Sequence, residues 1–164
     1  MKAKLTPKLC YIAGLQSKAR EELSAVGVST GMESIEQRFI EIAVNDLGIQ
    51  PNRVVIEEIG GGMRHIFFYH SRVYRRVKEI VDNSDKIFRR RNELSASYVA
   101  GMFDAAGHVD KNGIYIKKIE PKDALVLQSL EIYTRGNRIM NMSSFVKFIK
   151  ESSLLLEWML VSKN

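Results

Sequence analysis

Ser97-Tyr98-Val99-Ala100-Gly101-Met102-Phe103-Asp104-Ala105-Ala106-Gly107 reads as an apolar helix whose middle is filled with small residues. Leu94, Tyr98 and Met102 recur at i, i+4 and i+8, the spacing of one helix face. Glycine inside a helix costs about 1 kcal/mol relative to alanine. Close approach of a second backbone is the usual reason for placing it there. The chain supplies that second backbone itself, because Tyr11-Ile12-Ala13-Gly14-Leu15 echoes Tyr98-Val99-Ala100-Gly101-Met102 at an offset of 87. Ala13, Gly14, Ala100 and Gly101 are therefore expected where two helices cross.

The echo continues downstream in the same order. Leu47-Gly48-Ile49 matches Leu130-Glu131-Ile132, and the basic, apolar stretch 71–78 has a counterpart at 144–150. Helical apolar spacing covers 7–25, 35–47, 93–106 and 124–132, with Pro121 opening the last of these, and a single long helix is read over 144–161. Residues 53–59 and 65–69 are β-rich runs separated by Gly60-Gly61-Gly62, a hairpin pattern. Asn112-Gly113 marks a second tight hairpin leading into Ile114-Tyr115-Ile116, and Gly136 marks a third. The stretch 18–25 is good helix-forming sequence, so the first helix is expected to run on and the first half to lack one hairpin. The reading is an α+β chain, one domain over 1–164, made of pseudo-twofold tandem repeats at 1–83 and 92–164 with a basic linker at 84–91.

Val99 to Gly107, VAGMFDAAG, resembles the nine-residue LAGLIDADG motif of the homing endonucleases and is identical to it at Ala100, Gly101, Asp104, Ala105 and Gly107. Ile12 to Arg20, IAGLQSKAR, is a degenerate copy matching at Ala13, Gly14 and Leu15. The resemblance implies αββαββα-type repeats, motif helices packed about a pseudo-twofold axis, and flanking sheets forming a saddle over DNA. It also implies that the eighth motif residue is an acid holding a divalent metal ion. Hard ions such as Mg²⁺ take oxygen ligands and activate water against a phosphodiester. Those positions are Ala19 and Ala106, so no catalytic or metal-binding residue is assigned, and Mg²⁺ enters only if cleavage survives. Asp104 is the sixth motif residue, about 200° round the helix from 106. It is read as a hydrogen-bonding group at the helix end. Asp110, Glu21 and Glu22 are the other acids within reach of the motif ends.

Of the 164 residues, 45% are hydrophobic and 27% charged, a globular balance that excludes a disordered chain. The formal charge is +6, and residues 64–91 carry nine Lys or Arg against three acids, a surplus as large as the whole chain's. An anionic partner fits that concentration, and segment 64–91, including Arg89-Arg90-Arg91, is expected to touch phosphates. Cys10, the only cysteine, allows no internal disulfide or cysteine-based zinc site, which suits an intracellular, cytoplasmic setting. The N-terminal apolar stretch is interrupted by Gln16, Lys18 and Arg20, so neither a secretory segment nor a membrane span is expected. No phosphate-binding glycine loop, serine-triad order or zinc spacing occurs.

Strand alternation places Tyr115 and Lys117 on an outer face, with Lys111 and Lys118 near the strand ends, suited to phosphates and bases. Arg53, Arg64, His65, His70, Arg135 and Arg138 complete the expected nucleic-acid contacts. The function read from the sequence is binding of nucleic acid, duplex DNA favoured over RNA, by a monomer without cleavage. An active endonuclease, an RNA-splicing maturase and a protein-interaction module are the alternatives.

Overall fold

A computed structural model describes residues 4–19 and 24–162. Helix α1 (Pro7–Gln16) starts at Thr6, whose hydroxyl accepts the Leu9 N–H at 3.1 Å, with Pro7 in the first turn where its missing N–H is harmless. Helix α5 (Glu93–Ala106) starts with a reciprocal cap between Asn92 and Ser95. These two helices cross at the centre of the molecule, and most residues of each are buried.

At the crossing, a Cβ on Gly14 would stand 2.1 Å from the Tyr98 carbonyl oxygen, and a Cβ on Gly101 would stand 2.2 Å from the Tyr11 carbonyl oxygen. The contacts are reciprocal at the offset of 87 read from the sequence, the pattern of a local twofold. Each glycine admits the other helix's backbone, which any side chain would block.

Each half adds an antiparallel sheet. In the first, β1 (Ala25–Thr30) pairs with β3 (Met63–Tyr69), which pairs with β2 (Val55–Gly60), in the order β1-β3-β2. Gly60, Gly61 and Gly62 all have positive φ, 64° to 87°, and reverse the chain between β2 and β3. The second sheet has the order β4-β5-β7-β6, built from β4 (Gly107–Asp110), β5 (Gly113–Ile116), β6 (Thr134–Arg135) and β7 (Arg138–Ile139). Helices α2 (Glu33–Glu41, continued by a π turn at Ile42–Asp46) and α6 (Pro121–Ser129) follow β1 and β5. Helices α3 (Ser71–Asp82) and α7 (Met142–Ile149) follow the last strand of each half. One buried cluster joins the halves, with Ile12, Phe39 and Phe68 from the first and Met102, Phe103 and Phe145 from the second.

Three sequence expectations change. The first helix does not run on to residue 25: it ends at Gln16, and Ala25–Thr30 is a strand. Gln16 itself makes the exchange, its Nε2 donating to the Ala25 carbonyl at 3.2 Å and its Oε1 accepting from the Gly27 N–H at 2.8 Å. The described residues of the first half hold the single strand β1 where the second half has the hairpin β4-β5, so they lack one hairpin, as expected. Residues 20–23, over which the first helix was expected to continue, lie outside the described ones.

The helix read over 144–161 is two helices, α7 and α8 (Leu154–Ser162), because Ser153 breaks the run and caps the second by accepting the Leu156 N–H at 3.1 Å. The linker 84–91 is not a purely solvated strap either. It holds the short helix α4 (Ser84–Ile87), and Phe88 is buried with its ring stacked on Tyr98, centroids 4.4 Å apart. Among the described residues no helix is long and apolar enough to cross a membrane.

Candidate nucleic-acid interface

The two-residue turn Lys111-Asn112 fixes the register of the second sheet. Asp110 Oδ1 accepts the N–H groups of Asn112 and Gly113 at 2.7 and 3.1 Å, so Asp110 stands opposite Gly113 and His108 opposite Tyr115. Tyr115 in turn stands opposite Arg138, and Arg138 opposite Arg135. Side chains of directly paired residues share a face. His108, Tyr115, Arg138 and Arg135 therefore form one row across the sheet, and alternation adds Lys117. The other face carries Val109, Ile114, Ile116 and Ile139, which enter the core. Arg138 lies across Gly113, its Nε only 3.1 Å from where a Cβ would stand, so the glycine gives the guanidinium its bed. Lys111 is exposed at the hairpin tip.

Sequence reasoning left His108 aside. The Asn-Gly turn could have found it, because that turn alone dictates the pairing with Tyr115. Its ring lies 6.1 Å from the Tyr115 ring, and its Nε2 is 3.6 Å from Asp110 Oδ2.

The first sheet differs. Pairing of Ala25, Gly27 and Ser29 with Tyr69, Phe67 and His65, and of Val55 and Glu57 with Phe67 and His65, defines its outer face. Among the described residues that face holds no lysine or arginine, and it carries the carboxylate of Glu57. His65 and Phe67 are buried on it, with their rings stacked at 4.8 Å and His65 Nδ1 3.0 Å from Ser29 Oγ.

Arg64 is not an outer-face contact as expected. Ile66 and Phe68 point into the core, so alternation turns Arg64 the same way, where it pairs with Glu36 of α2 at 3.0 Å. His70 is exposed and caps α3, accepting the Val73 N–H at 3.2 Å. Arg53 is exposed in a short turn before β2, off the sheet. Lys118 has φ 53° and contributes its carbonyl oxygen, which accepts from Lys18 Nζ at 2.8 Å.

The expected phosphate contact from segment 64–91 is also reduced. Arg91 donates to the Leu130 carbonyl at 2.8 Å and the Ser144 hydroxyl at 2.7 Å, and stacks on Phe148. Its guanidinium fastens the segment to the second half while the residue stays exposed. Arg76 sits 3.4 Å from Glu79, and Arg72, Arg75, Arg89 and Arg90 are exposed.

The motif ends offer a cation few oxygen ligands. Ala19 and Ala106 are half-buried and offer only methyl groups. Beside Ala19, the Lys18 side chain is 6% exposed and its ammonium is bound to Asp123 of the second half, placing a fixed positive charge near the motif end. Asp104 is turned away and 5% exposed. Its carboxylate accepts the Tyr11 hydroxyl at 2.6 Å, the Ser153 hydroxyl at 2.6 Å, and the Leu154 and Leu155 N–H groups at 3.0 and 3.1 Å. It serves the start of α8. Burial raises its pKa above the ordinary carboxylate value, opposed by those four donors. Asp110 is held by its turn, and Glu21 and Glu22 lie outside the described residues. Among the described residues no three His, Cys, Asp or Glu side chains are grouped to hold a metal ion. The donor set does not fit Mg²⁺.

No family model and no curated protein matches the chain. Solved structures do. A structure of mesophilic variants of the homing endonuclease I-DmoI superposes with a TM-score of 0.63 at 14% identity, covering 90% of this chain and 97% of that one. I-DmoI in complex with DNA and Mn gives 0.63 at 13% identity, covering 92% and 100%. I-DmoI in complex with DNA and Ca gives 0.62 at 13%, covering 88% of each. At such identity the likeness speaks for architecture, and the chain has the LAGLIDADG homing-endonuclease fold.

Proposed function

We propose that this chain is a nucleic-acid-binding protein, with duplex DNA favoured over RNA, that works as a monomer and holds its target without cutting it. One observation carries the reading. The outer face of the second sheet gathers Tyr115, Lys117, Arg135 and Arg138 beside His108, on a fold whose solved examples include DNA complexes. Arginine and lysine there can contact phosphate oxygens and guanine edges, and Tyr115 offers both a flat ring and a hydroxyl. Lys111 at the hairpin tip extends the same surface.

The absence of cutting rests on donor chemistry. A methyl group has no lone pair, so Ala19 and Ala106 cannot hold the cation that would activate water and neutralise the phosphodiester. A gel-shift series with duplex DNA, single strands and structured RNA tests the binding. Retardation of duplex that weakens steeply with salt is expected, and the absence of any retardation refutes it. Incubation of the bound duplex with Mg²⁺ or Mn²⁺ tests the second half of the reading. Nicking by a clean preparation, abolished by Asp110→Asn, overturns it.

A protein-interaction role has its own observation. Trp158 is 57% exposed and Leu160 47% exposed on α8. Self-association or partner capture lost in Trp158→Ser, without nucleic-acid binding, would favour that second reading.

A further inference from the structure

We infer that the nucleic acid is gripped by one half of the molecule only: the second sheet holds duplex DNA, and the first sheet's outer face leaves the adjoining stretch of duplex unheld. The inference rests on the binding function proposed above and deepens it.

The two outer faces come from equivalent strands and differ in sign. The register assigns Lys117, Arg135 and Arg138 to the second, against the single carboxylate of Asp110, which is engaged in its own turn. Among the described residues the first carries Glu57 and no lysine or arginine. The cation that sequence would have placed there, Arg64, is on the opposite face and committed to Glu36.

Shape repeats the asymmetry. In the first sheet the middle of the face is filled by buried, mutually stacked His65 and Phe67, while Val55, Glu57 and Tyr69 flank it. Neither ring can be offered to a base without unpacking. Phosphates meeting this face would be repelled by a carboxylate and, among its described residues, find no lysine or arginine to compensate. Tyr69, 53% exposed at the end of β3, is a neutral side chain and supplies no counter-charge.

The test is hydroxyl-radical footprinting of the whole chain on a synthetic 30-base-pair duplex recovered from a random pool by binding. One-sided grip protects a single stretch of about one helical turn, whereas a saddle gripping with both sheets protects two stretches about one turn apart. With three cations engaged, the logarithm of affinity should fall against the logarithm of salt with a slope of about −3. Arg135→Ala with Arg138→Ala should erase all protection. Val55→Lys with Glu57→Lys, both at exposed or half-exposed positions of an edge strand, should create a second protected stretch and steepen the slope by about 2. Two protected stretches in the unaltered protein, or protection surviving loss of both arginines, overturns the one-sided grip while leaving the binding function intact. A duplex that is never retarded overturns both.

Discussion

Tyr11 and Tyr98 occupy equivalent places on the two crossing helices, 87 residues apart, yet their hydroxyls end on different chemistry. Tyr11 donates to Asp104, which also holds Ser153 at the start of α8. Tyr98 bonds to Ser17 and to Ser84, the first residue of α4. Position 17 is the counterpart of 104, and Ser153 and Ser84 each open a short helix leaving the repeat. Both halves therefore build the same joint, from a tyrosine of one helix to a polar residue of the other and on to a helix start. One joint keeps a carboxylate; the other replaces it with a hydroxyl. The difference teaches that Asp104 is retained as part of the packing, since its counterpart does a similar task uncharged and neither points to the motif end.

The strongest way to break the comparison is to remove the contact that imposes it. Gly101→Leu places a side chain where the Tyr11 carbonyl oxygen stands, 2.2 Å from the new Cβ. Backbone cannot yield there as a flexible side chain would, so the loss should exceed about 3 kcal/mol, beyond ordinary overpacking. Gly14→Leu, facing the Tyr98 carbonyl, should lose as much. Urea denaturation showing near-normal stability in either variant would mean the helices do not cross there.

The next largest effect separates the halves. Lys18 has Ala105 as its counterpart, and only Lys18 crosses to the other repeat, to Asp123 and the Lys118 carbonyl. Lys18→Met leaves Asp123 without its ammonium and should cost about 3 kcal/mol, the usual range for breaking a buried pair from one side. Asp123 keeps the Glu120 N–H, which limits the loss. Lys18→Met with Asp123→Leu should recover part of the stability; a double variant no better than the single would show that the pair itself matters little.

Much of this was legible beforehand, and for a physical reason. Small residues inside an apolar helix carry information because glycine there needs a packing partner, so the crossing could be read from Gly14 and Gly101. The Asn-Gly turn likewise encodes its own register. Other features are set by tertiary contact. Residues 18–25 favour helix locally, yet Gln16 bonds to Ala25 and Gly27, and β1, with β-branched Val26, Val28 and Thr30, finds β3. Arg64 was readable in principle, because the phase of Ile66 and Phe68 turns it inward. What hid it was the pull of local charge: a count of cations cannot say that Arg64 and Arg91 are spent on Glu36, Leu130 and Ser144.

A smaller effect tests the charge at the joint. Asp104→Asn mimics the neutral acid but brings an amide toward four donors, and should cost about 2 kcal/mol. The pH dependence has a definite sign. Burial raises the folded pKa of Asp104 above its unfolded value, so the folded state binds the extra proton between the two. The stability this proton contributes is full below the ordinary carboxylate range and is lost as pH rises through the raised value. Urea melts at rising pH, starting from the ordinary carboxylate range, should show the gap between the unaltered protein and Asp104→Asn narrowing as pH increases. A gap that widens would mean that the donors outweigh burial.

The smallest expected effect is also the finest probe of the two joints. Tyr11→Phe removes one donor from a buried carboxylate, and Tyr98→Phe removes a bond between neutral hydroxyls. Hydrogen bonds to charged groups contribute about 1.5–3 kcal/mol net and neutral ones about 0.5–1.5. Both phenyl rings keep their packing, Tyr98 against Phe88 and Tyr11 beneath the Arg38 guanidinium 5.1 Å away. The difference between the variants should then be about 1 kcal/mol, with Tyr11→Phe the less stable. Repeating both substitutions in the Asp104→Asn background isolates the charge, because only Tyr11→Phe shares a partner with that change. Its cost should shrink there while that of Tyr98→Phe stays the same. Equal costs in both backgrounds would mean that the Asp104 charge gives Tyr11 no advantage, and that the two joints differ in composition but not in strength.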